Sequence, residues 1–196
     1  MAIGDFSYGQ YGLTEIDSYS SSTMASSIFV DIQDSSQNNG IVKIIGSIQS
    51  DGASNHYIIG SFADSSGNPL NIEYRNITAG YTSSGGASAG SATSSIYMTR
   101  YSVSSSNNTS YNPVTLGSVV SNIEFDATIA LERSSSAPIR KPFITIRTNY
   151  TSGSTFVTTY NAGVSYPDTT PTQFKFNSTV GNVTGNIKVF SLCAHS

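Results

Sequence analysis

Apolar and polar residues alternate along much of the chain after residue 26, with the two-residue period of a half-buried β-strand. The pattern is most regular in the segment 123–132. Its apolar positions are Ile123, Phe125, Ala127, Ile129 and Leu131. The alternation predicts one strand with a buried face and an opposite face, carrying Glu124 and Asp126, that is exposed to solvent.

Shorter segments with strand character precede and follow this one, and Gly, Pro, Asn or Ser residues bound them. They are residues 28–33, 41–49, 56–63, 70–74, 96–101, 143–148, 155–160, 173–177 and 187–192. No window shows the 3.6-residue period of an amphipathic helix. About nine or ten short strands at this spacing predict an all-β fold, a single jelly-roll-like β-sandwich.

Three segments between these strands are interpreted as turns or loops. Asn39-Gly40 is the strongest short signal for a hairpin turn, and it lies between the first two predicted strands. Residues 79–95 are of low complexity and predict a flexible surface loop. Residues 104–110, rich in Ser and Asn, predict a second loop.

Residues 1–25 differ from the rest, because their large side chains follow neither a helical nor a strand period. One interpretation is a disordered leader, since chain termini often fray. The other is an extended N-terminal arm that binds a neighbouring subunit, with the β-sandwich domain in residues 26–196. The candidate partner-binding residues of this arm are Phe6, Tyr8, Tyr11, Leu13, Ile16 and Tyr19.

The composition indicates a folded protein with a polar surface that carries little charge. Charged residues make up 11% of the chain, and the formal net charge is −3 with nine Lys and Arg residues. So few cations cannot form the basic patch that nucleic acids or anionic membranes attract, and we expect neither partner. The N-terminal sequence resembles neither a signal peptide nor a membrane span. The single cysteine, Cys193, excludes an intrachain disulfide.

Residues suited to catalysis or metal binding are scarce. The histidines are His56, expected at a turn or strand start, and His195, the second-last residue. The one Gly-x-Ser-x-Gly sequence, at residues 86–90, lies in the low-complexity segment rather than between a strand and a helix, where a catalytic serine of this type is expected. Gly4–Ser7 only faintly resembles the serine block of some esterases. Glu124 and Asp126 share a strand face, but solubilising charges explain them better than glycoside hydrolysis does. We therefore predict a protein that is not an enzyme and has no cofactor or metal site.

Carbohydrate binding is the ligand class that the composition leaves open. Tyrosine rings can stack on sugars, and Asn and Ser side chains can form hydrogen bonds with hydroxyl groups. The candidates in the loop-rich middle are Tyr81, Tyr97, Tyr101 and Tyr111. Tryptophan, the strongest stacking residue, is absent.

Three segments together resemble the jelly-roll structural proteins of tailed-bacteriophage particles. The first is IIGSIQSD at residues 44–51, and the second is FADS at residues 62–65. The third begins with PTQFKF at residues 171–176 and continues through VGNV at 180–183 and GNIKVF at 185–190. The resemblance spans residues 27–192 as an order of strands and turns, and it contains no catalytic motif.

The resemblance implies a virion component that is assembled in the host cytoplasm. We expect either a capsid decoration protein or a tail-appendage module, with other virion proteins as partners and a homo-oligomeric state. The alternative is a carbohydrate-recognition domain of a tail fibre, whose partner is a glycan of the host surface.

Overall fold

The computed structural model describes residues 11–33, 40–52, 56–70, 77–82, 96–105, 108–113, 122–133, 140–152, 155–164 and 170–194. Strands and their connections make up this part of the chain, which contains no helix, so the predicted all-β class is confirmed. The strands are β1 (Tyr11–Ala25), β2 (Ile28–Asp31), β3 (Gly40–Ser50), β4 (Ile58–Ala63), β5 (Ile77–Thr82), β6 (Ile96–Tyr97), β7 (Arg100–Ser105), β8 (Asn108–Pro113), β9 (Ile123–Arg133), β10 (Arg140–Ser152), β11 (Thr155–Val164), β12 (Gln173–Ser178) and β13 (Val183–Ala194).

Two antiparallel sheets pack against each other as a β-sandwich. The large sheet has seven strands in the order β1-β13-β3-β9-β10-β11-β5, and the small sheet has four in the order β2-β12-β4-β6. Strands β7 and β8 form a separate two-stranded ribbon. Because β12 and β13 belong to different sheets, the turn between them carries the chain from one layer of the sandwich to the other.

Alternating apolar residues from both sheets form one core. In β9 the buried positions are those that the sequence predicts, from Ile123 to Leu131. Aromatic rings join the layers: Phe125 of the large sheet lies 5.1 Å from Phe176 of the small sheet, between ring centroids. Phe176 in turn contacts Phe174, and Phe174 contacts Phe62 in edge-to-face geometry at 4.9 and 5.2 Å. Such pairs contribute about 0.5–1.5 kcal/mol beyond the burial of their area.

A buried polar cluster fills part of the interior between β10, β11 and the turn after β6. The Thr148 and Thr159 hydroxyls both donate hydrogen bonds to the carbonyl oxygen of Met98, at 2.6 and 2.8 Å. The backbone N–H of Ile58 donates to the Thr99 hydroxyl at 2.9 Å. These bonds satisfy buried polar groups, which would otherwise destabilise the fold. They also connect the turn after β6 to β10 and β11 of the large sheet and to β4 of the small sheet.

Close packing of β3 against β13 depends on a glycine in each strand. A Cβ atom on Gly46 would lie 2.3 Å from the carbonyl oxygen of Asn186, and one on Gly185 would lie 2.1 Å from that of Ser47. The turn before β13 also requires glycine, because Gly181 has a φ of 80°. The Asp51 carboxylate stabilises this turn by accepting a hydrogen bond from the backbone N–H of Asn182, at 2.5 Å.

The predicted division of the chain at residue 25 needs correction. Residues 11–25 form β1, which pairs with β13 from Tyr11–Ala194 to Ala25–Val183, so they belong to the sandwich itself. Ile16 and Tyr19 pack against its core. The strand period is hidden because the register shifts twice, between Glu15 and Asp17 and between Ser21 and Ala25. Residues 1–10 lie outside the described residues, and for them an arm stays a prediction.

The prediction of a hairpin at Asn39-Gly40 is wrong, because the strands before and after it do not pair with each other. β2 pairs with β12 in the small sheet, whereas β3 pairs with β13 and β9 in the large sheet. Parts of the two predicted loops form strands instead. Residues 77–82 form β5 at an edge of the large sheet, and residues 100–113 contain the β7–β8 pair. Residues 34–39, 71–76 and 83–95 lie outside the described part of the chain.

Candidate functional site

The outer face of the large sheet carries a line of apolar side chains that runs across five adjacent strands. Register places Leu13 of β1 opposite Leu192 of β13, which is opposite Ile41 of β3. Ile41 is opposite Ala130 of β9, and Ala130 is opposite Phe143 of β10. We call these five residues the apolar row. With strands about 4.8 Å apart, the row is about 19 Å long.

The largest members of the apolar row are open to solvent. Leu13 is 57% exposed, Ile41 43% and Phe143 45%, while Leu192 and Ala130 are half-buried. Single exposed apolar residues are normal on protein surfaces, but a contiguous line of them marks a contact site. The apolar row is therefore the first candidate for binding a partner.

Two ion pairs lie on the same face as the apolar row. The Lys188 ammonium lies 2.8 Å from the Glu15 carboxylate, and the Lys43 ammonium lies 2.7 Å from the Asp126 carboxylate. All four side chains are at least one-third exposed, so each pair contributes little to stability. Their effect is that these four charged side chains add no net charge to the described surface near the row.

A cleft of about 470 Å³ opens on the same face, between β9, β10 and β11. The cleft is lined by Asp126, Thr145, Ile146, Arg147, Tyr160, Asn161 and Ala162. Arg147 is the direct cross-strand partner of both Asp126 and Tyr160. Its guanidinium carbon lies 5.9 Å from the centre of the Tyr160 ring, which is within the range of a cation–π contact.

The structure separates the residues predicted for the N-terminal arm. Leu13 joins the apolar row, whereas Ile16 and Tyr19 pack against the chain's own core. Tyr11 begins β1, but its side chain, like all of Phe6 and Tyr8, lies outside the described residues. Contact of this set with a partner stays a prediction.

The other candidates from the sequence do not assemble into one described site. Tyr81, Tyr97, Tyr101 and Tyr111 fall in strands β5, β6, β7 and β8, with side chains outside the described part. His56 is buried two residues before β4, against Gly52. Glu124 and Asp126 lie on the exposed face, as the alternation predicts.

Sequence reasoning missed Ile41, Phe143, Arg147 and Tyr160. Each looks ordinary in its own strand, and only the register of β3, β9, β10 and β11 brings them together. One signal was available: Ile41 and Phe143 are large apolar residues at positions where the alternation along their strands predicts polar, exposed side chains.

Among the residues that the structure describes, no group of three or more His, Cys, Asp or Glu side chains could hold a metal ion. No helix in those same ranges is long and apolar enough to cross a membrane. Comparison of the chain with protein-family models, curated proteins and solved structures finds no match.

Proposed function

We propose that this chain is a non-enzymatic structural component of a tailed-bacteriophage particle, a decoration or tail-appendage module that attaches through the apolar row. The observation that carries the proposal is the row itself: exposed Leu13, Ile41 and Phe143 in register on a face where alternation favours polar residues. Contact with another virion protein would bury them.

The free energy available from burying the apolar row favours attachment to a particle with many binding sites over a single one-to-one complex. Covering three half-exposed large side chains would contribute about 3 kcal/mol, at about half of the 1.5–3 kcal/mol for full burial of each. Association alone costs at least about 4 kcal/mol. Attachment therefore needs additional contacts, and a particle with many copies of its subunits supplies them through multivalency.

Support for a phage protein comes from the three segments that resemble phage jelly-roll proteins, because they lie together in the fold. Residues 44–50 of β3 pair with β13, and Asp51 fastens the turn that precedes β13. Phe62 of the FADS segment pairs directly with Phe174 of the PTQFKF segment. The resemblance therefore maps onto one continuous part of the sandwich, which within this proposal is of the jelly-roll type.

The first test is immunogold labelling of particles from the phage that encodes the chain. Label over the head would make the protein a decoration protein, and label confined to the tail would make it an appendage. Unlabelled particles, checked for antibody access after partial disruption, would overturn the virion proposal.

The second test asks whether the apolar row is the attachment surface. The double variant Ile41→Ser, Phe143→Ser should fold but no longer co-sediment with particles that lack the native protein. Val180→Ser is the control, because Val180 is also exposed but lies in the turn before β13. Equal co-sedimentation of the double variant and the wild type would show that attachment uses another surface.

A carbohydrate-recognition domain of a tail fibre is the second candidate function. The observation that favours it is the cleft, whose lining combines the exposed Tyr160 with the polar residues Thr145, Arg147 and Asp126. An aromatic platform with a few converging polar groups is typical of small-ligand sites. Saturable binding on a glycan array would support this function, and an array without any bound glycan would exclude it.

A further inference from the structure

Arg147 carries a positive charge that its neighbours on the sheet leave uncompensated. Its cross-strand partner Asp126 is already engaged, because the Lys43 ammonium lies 2.7 and 2.8 Å from its two carboxylate oxygens. The Arg147 guanidinium lies over Tyr160 instead. Within the described ranges, no ion pair involves Arg147.

The Arg147–Tyr160 contact orients the guanidinium without using its hydrogen-bond donors. Cation–π contacts at exposed sites contribute only about 0.5–1 kcal/mol, so folding does not depend on this arginine. A guanidinium presents its N–H groups in a planar fork that matches the two oxygens of a carboxylate. The cleft therefore contains an oriented donor for a carboxylate.

The remaining lining favours a polar ligand with a flat apolar side. Tyr160 of β11 is 45% exposed and its ring forms a platform, while Thr145 lies on the adjacent strand β10 and Asp126 on β9, the next strand beyond it. The volume of about 470 Å³ falls within the range of small-ligand sites. Sugars combine an apolar ring face with hydroxyl groups, which is the combination that this lining fits.

We propose that the cleft between β9, β10 and β11 binds an acidic saccharide, with the sugar ring on Tyr160 and its carboxylate on Arg147. Local charge supports an anion: the Lys43–Asp126 pair is neutral, which leaves Arg147 in excess. Glu124, the next acid on this face of β9, lies two residues along the strand from Asp126, about 7 Å between Cα atoms, and no ion pair among the described residues joins it to Arg147. This inference rests on the second candidate function and specifies its ligand class.

The test measures binding of the full chain to matched acidic and neutral glycans. Suitable probes are oligogalacturonate with its methyl ester, and sialyllactose with lactose. At least one acid should bind and its neutral counterpart should bind at least tenfold more weakly. Binding of the acid should weaken as salt is raised, since screening reduces the attraction between exposed charges.

Variants then assign the binding to the cleft. Arg147→Ala and Tyr160→Ala should each weaken binding of the acidic probe at least tenfold, and Arg147→Lys should restore it only in part, because lysine lacks the planar fork. Lys188→Ala removes a cation from the same face outside the cleft lining, so it should bind like the wild type. Thermal unfolding checks that all four variants fold.

The outcomes separate this inference from the function on which it rests. Equal binding of acidic and neutral probes would leave a carbohydrate-recognition domain but overturn the acidic class. Acid-selective binding that Arg147→Ala leaves unchanged would overturn the assignment to the cleft. Absence of binding to any probe on a broad array would overturn the inference together with the second candidate function.

Discussion

At the residue scale, the interior depends on hydroxyl groups that share a single backbone acceptor. Thr148 and Thr159 are direct neighbours in β10 and β11, and their hydroxyls contact each other while both bind the Met98 carbonyl. Removing one hydroxyl leaves this carbonyl with the other donor. Removing both leaves it with no side-chain donor among the described residues, so the effects of the two changes should not be additive.

Thr148→Val should lower the free energy of unfolding by about 1 kcal/mol, the usual net value of one hydrogen bond. The double variant Thr148→Val, Thr159→Val should cost more than the sum of the single changes, since a buried acceptor without a partner costs about 1–3 kcal/mol. Urea denaturation of the two single variants and the double variant measures their free energies of unfolding. Thr128→Val, at a half-buried position on the outer face, is the control and should change stability little. Strict additivity would show that the shared acceptor is unimportant.

Asp64 makes the turn after β4 sensitive to acid. Its pKa is lowered from the ordinary value of 3.8, chiefly by the hydrogen bond from the Asn68 side chain and then by backbone N–H groups of the turn. A lowered pKa in the folded state means that the carboxylate stabilises the fold above pH 3.8. That stability is lost as the pH falls through the lower folded-state value.

The Asp64→Asn variant tests this dependence. Wild type should be more stable than the variant near neutral pH, and the difference should shrink as the pH falls from about 6 to about 2. The effect should be modest, because the carboxylate is exposed to solvent. Thermal unfolding at several pH values measures the difference in stability between the two proteins. A difference that stays constant down to about pH 2 would contradict a stabilising role of the Asp64 carboxylate.

At the element scale, the sequence predicts strands well where one face is buried and the register is regular. β9 shows this, since its alternation continues unbroken along the buried positions from Ile123 to Leu131. β1 was missed because two register shifts disturb the side-chain period. The Asn39-Gly40 signal misled for another reason: turn residues indicate that the chain reverses, but they do not specify which sheet receives the next strand.

The close approach of β3 and β13 gives a test at this scale. Gly46→Ala would place a Cβ atom 2.3 Å from backbone, so the strands must separate, at a cost of about 2 kcal/mol. In a chain of this length that corresponds to a fall in Tm of roughly 4–8 °C. Gly40→Ala is the matched control in β3, because the nearest atom to its Cβ among the described residues, the Ser191 hydroxyl oxygen, would be 4.0 Å away. Similar melting of both variants would contradict the packing described.

At the scale of the whole molecule, the outer face of the large sheet divides into regions with different chemistry. The apolar row crosses one end, the ion pairs and the cleft lie beside it, and polar residues such as Ser20, Asn186 and Ser47 occupy the other end. Sequence alone could not predict this division, because it depends on the register of strands that are distant in the chain. The two proposed activities therefore use neighbouring but distinct residues, and variants can separate them.

Two truncations test how β1 serves the whole molecule. Deleting residues 1–25 removes the strand that covers β13, together with the packing of Ile16 and Tyr19 on the core. It also removes the Asp17 carboxylate that accepts a hydrogen bond from the Asp31 N–H in edge strand β2, at 2.6 Å. This variant should melt at lower temperature and self-associate, because it exposes the unpaired edge of β13. Thermal unfolding and size-exclusion chromatography measure both effects.

Deleting only residues 1–10 should leave the melting temperature unchanged, since this deletion keeps every pair that the structure describes between β1 and β13, from Tyr11 to Ala25. The shorter truncation therefore tests the predicted arm without damaging the sandwich, which deletion of residues 1–25 cannot do. Co-sedimentation with particles that lack the native protein measures whether the truncated chain still binds them. Loss of binding by this folded variant would assign attachment to residues 1–10, which include Phe6 and Tyr8. Unchanged binding would show that the arm is dispensable and leave the row as the attachment surface.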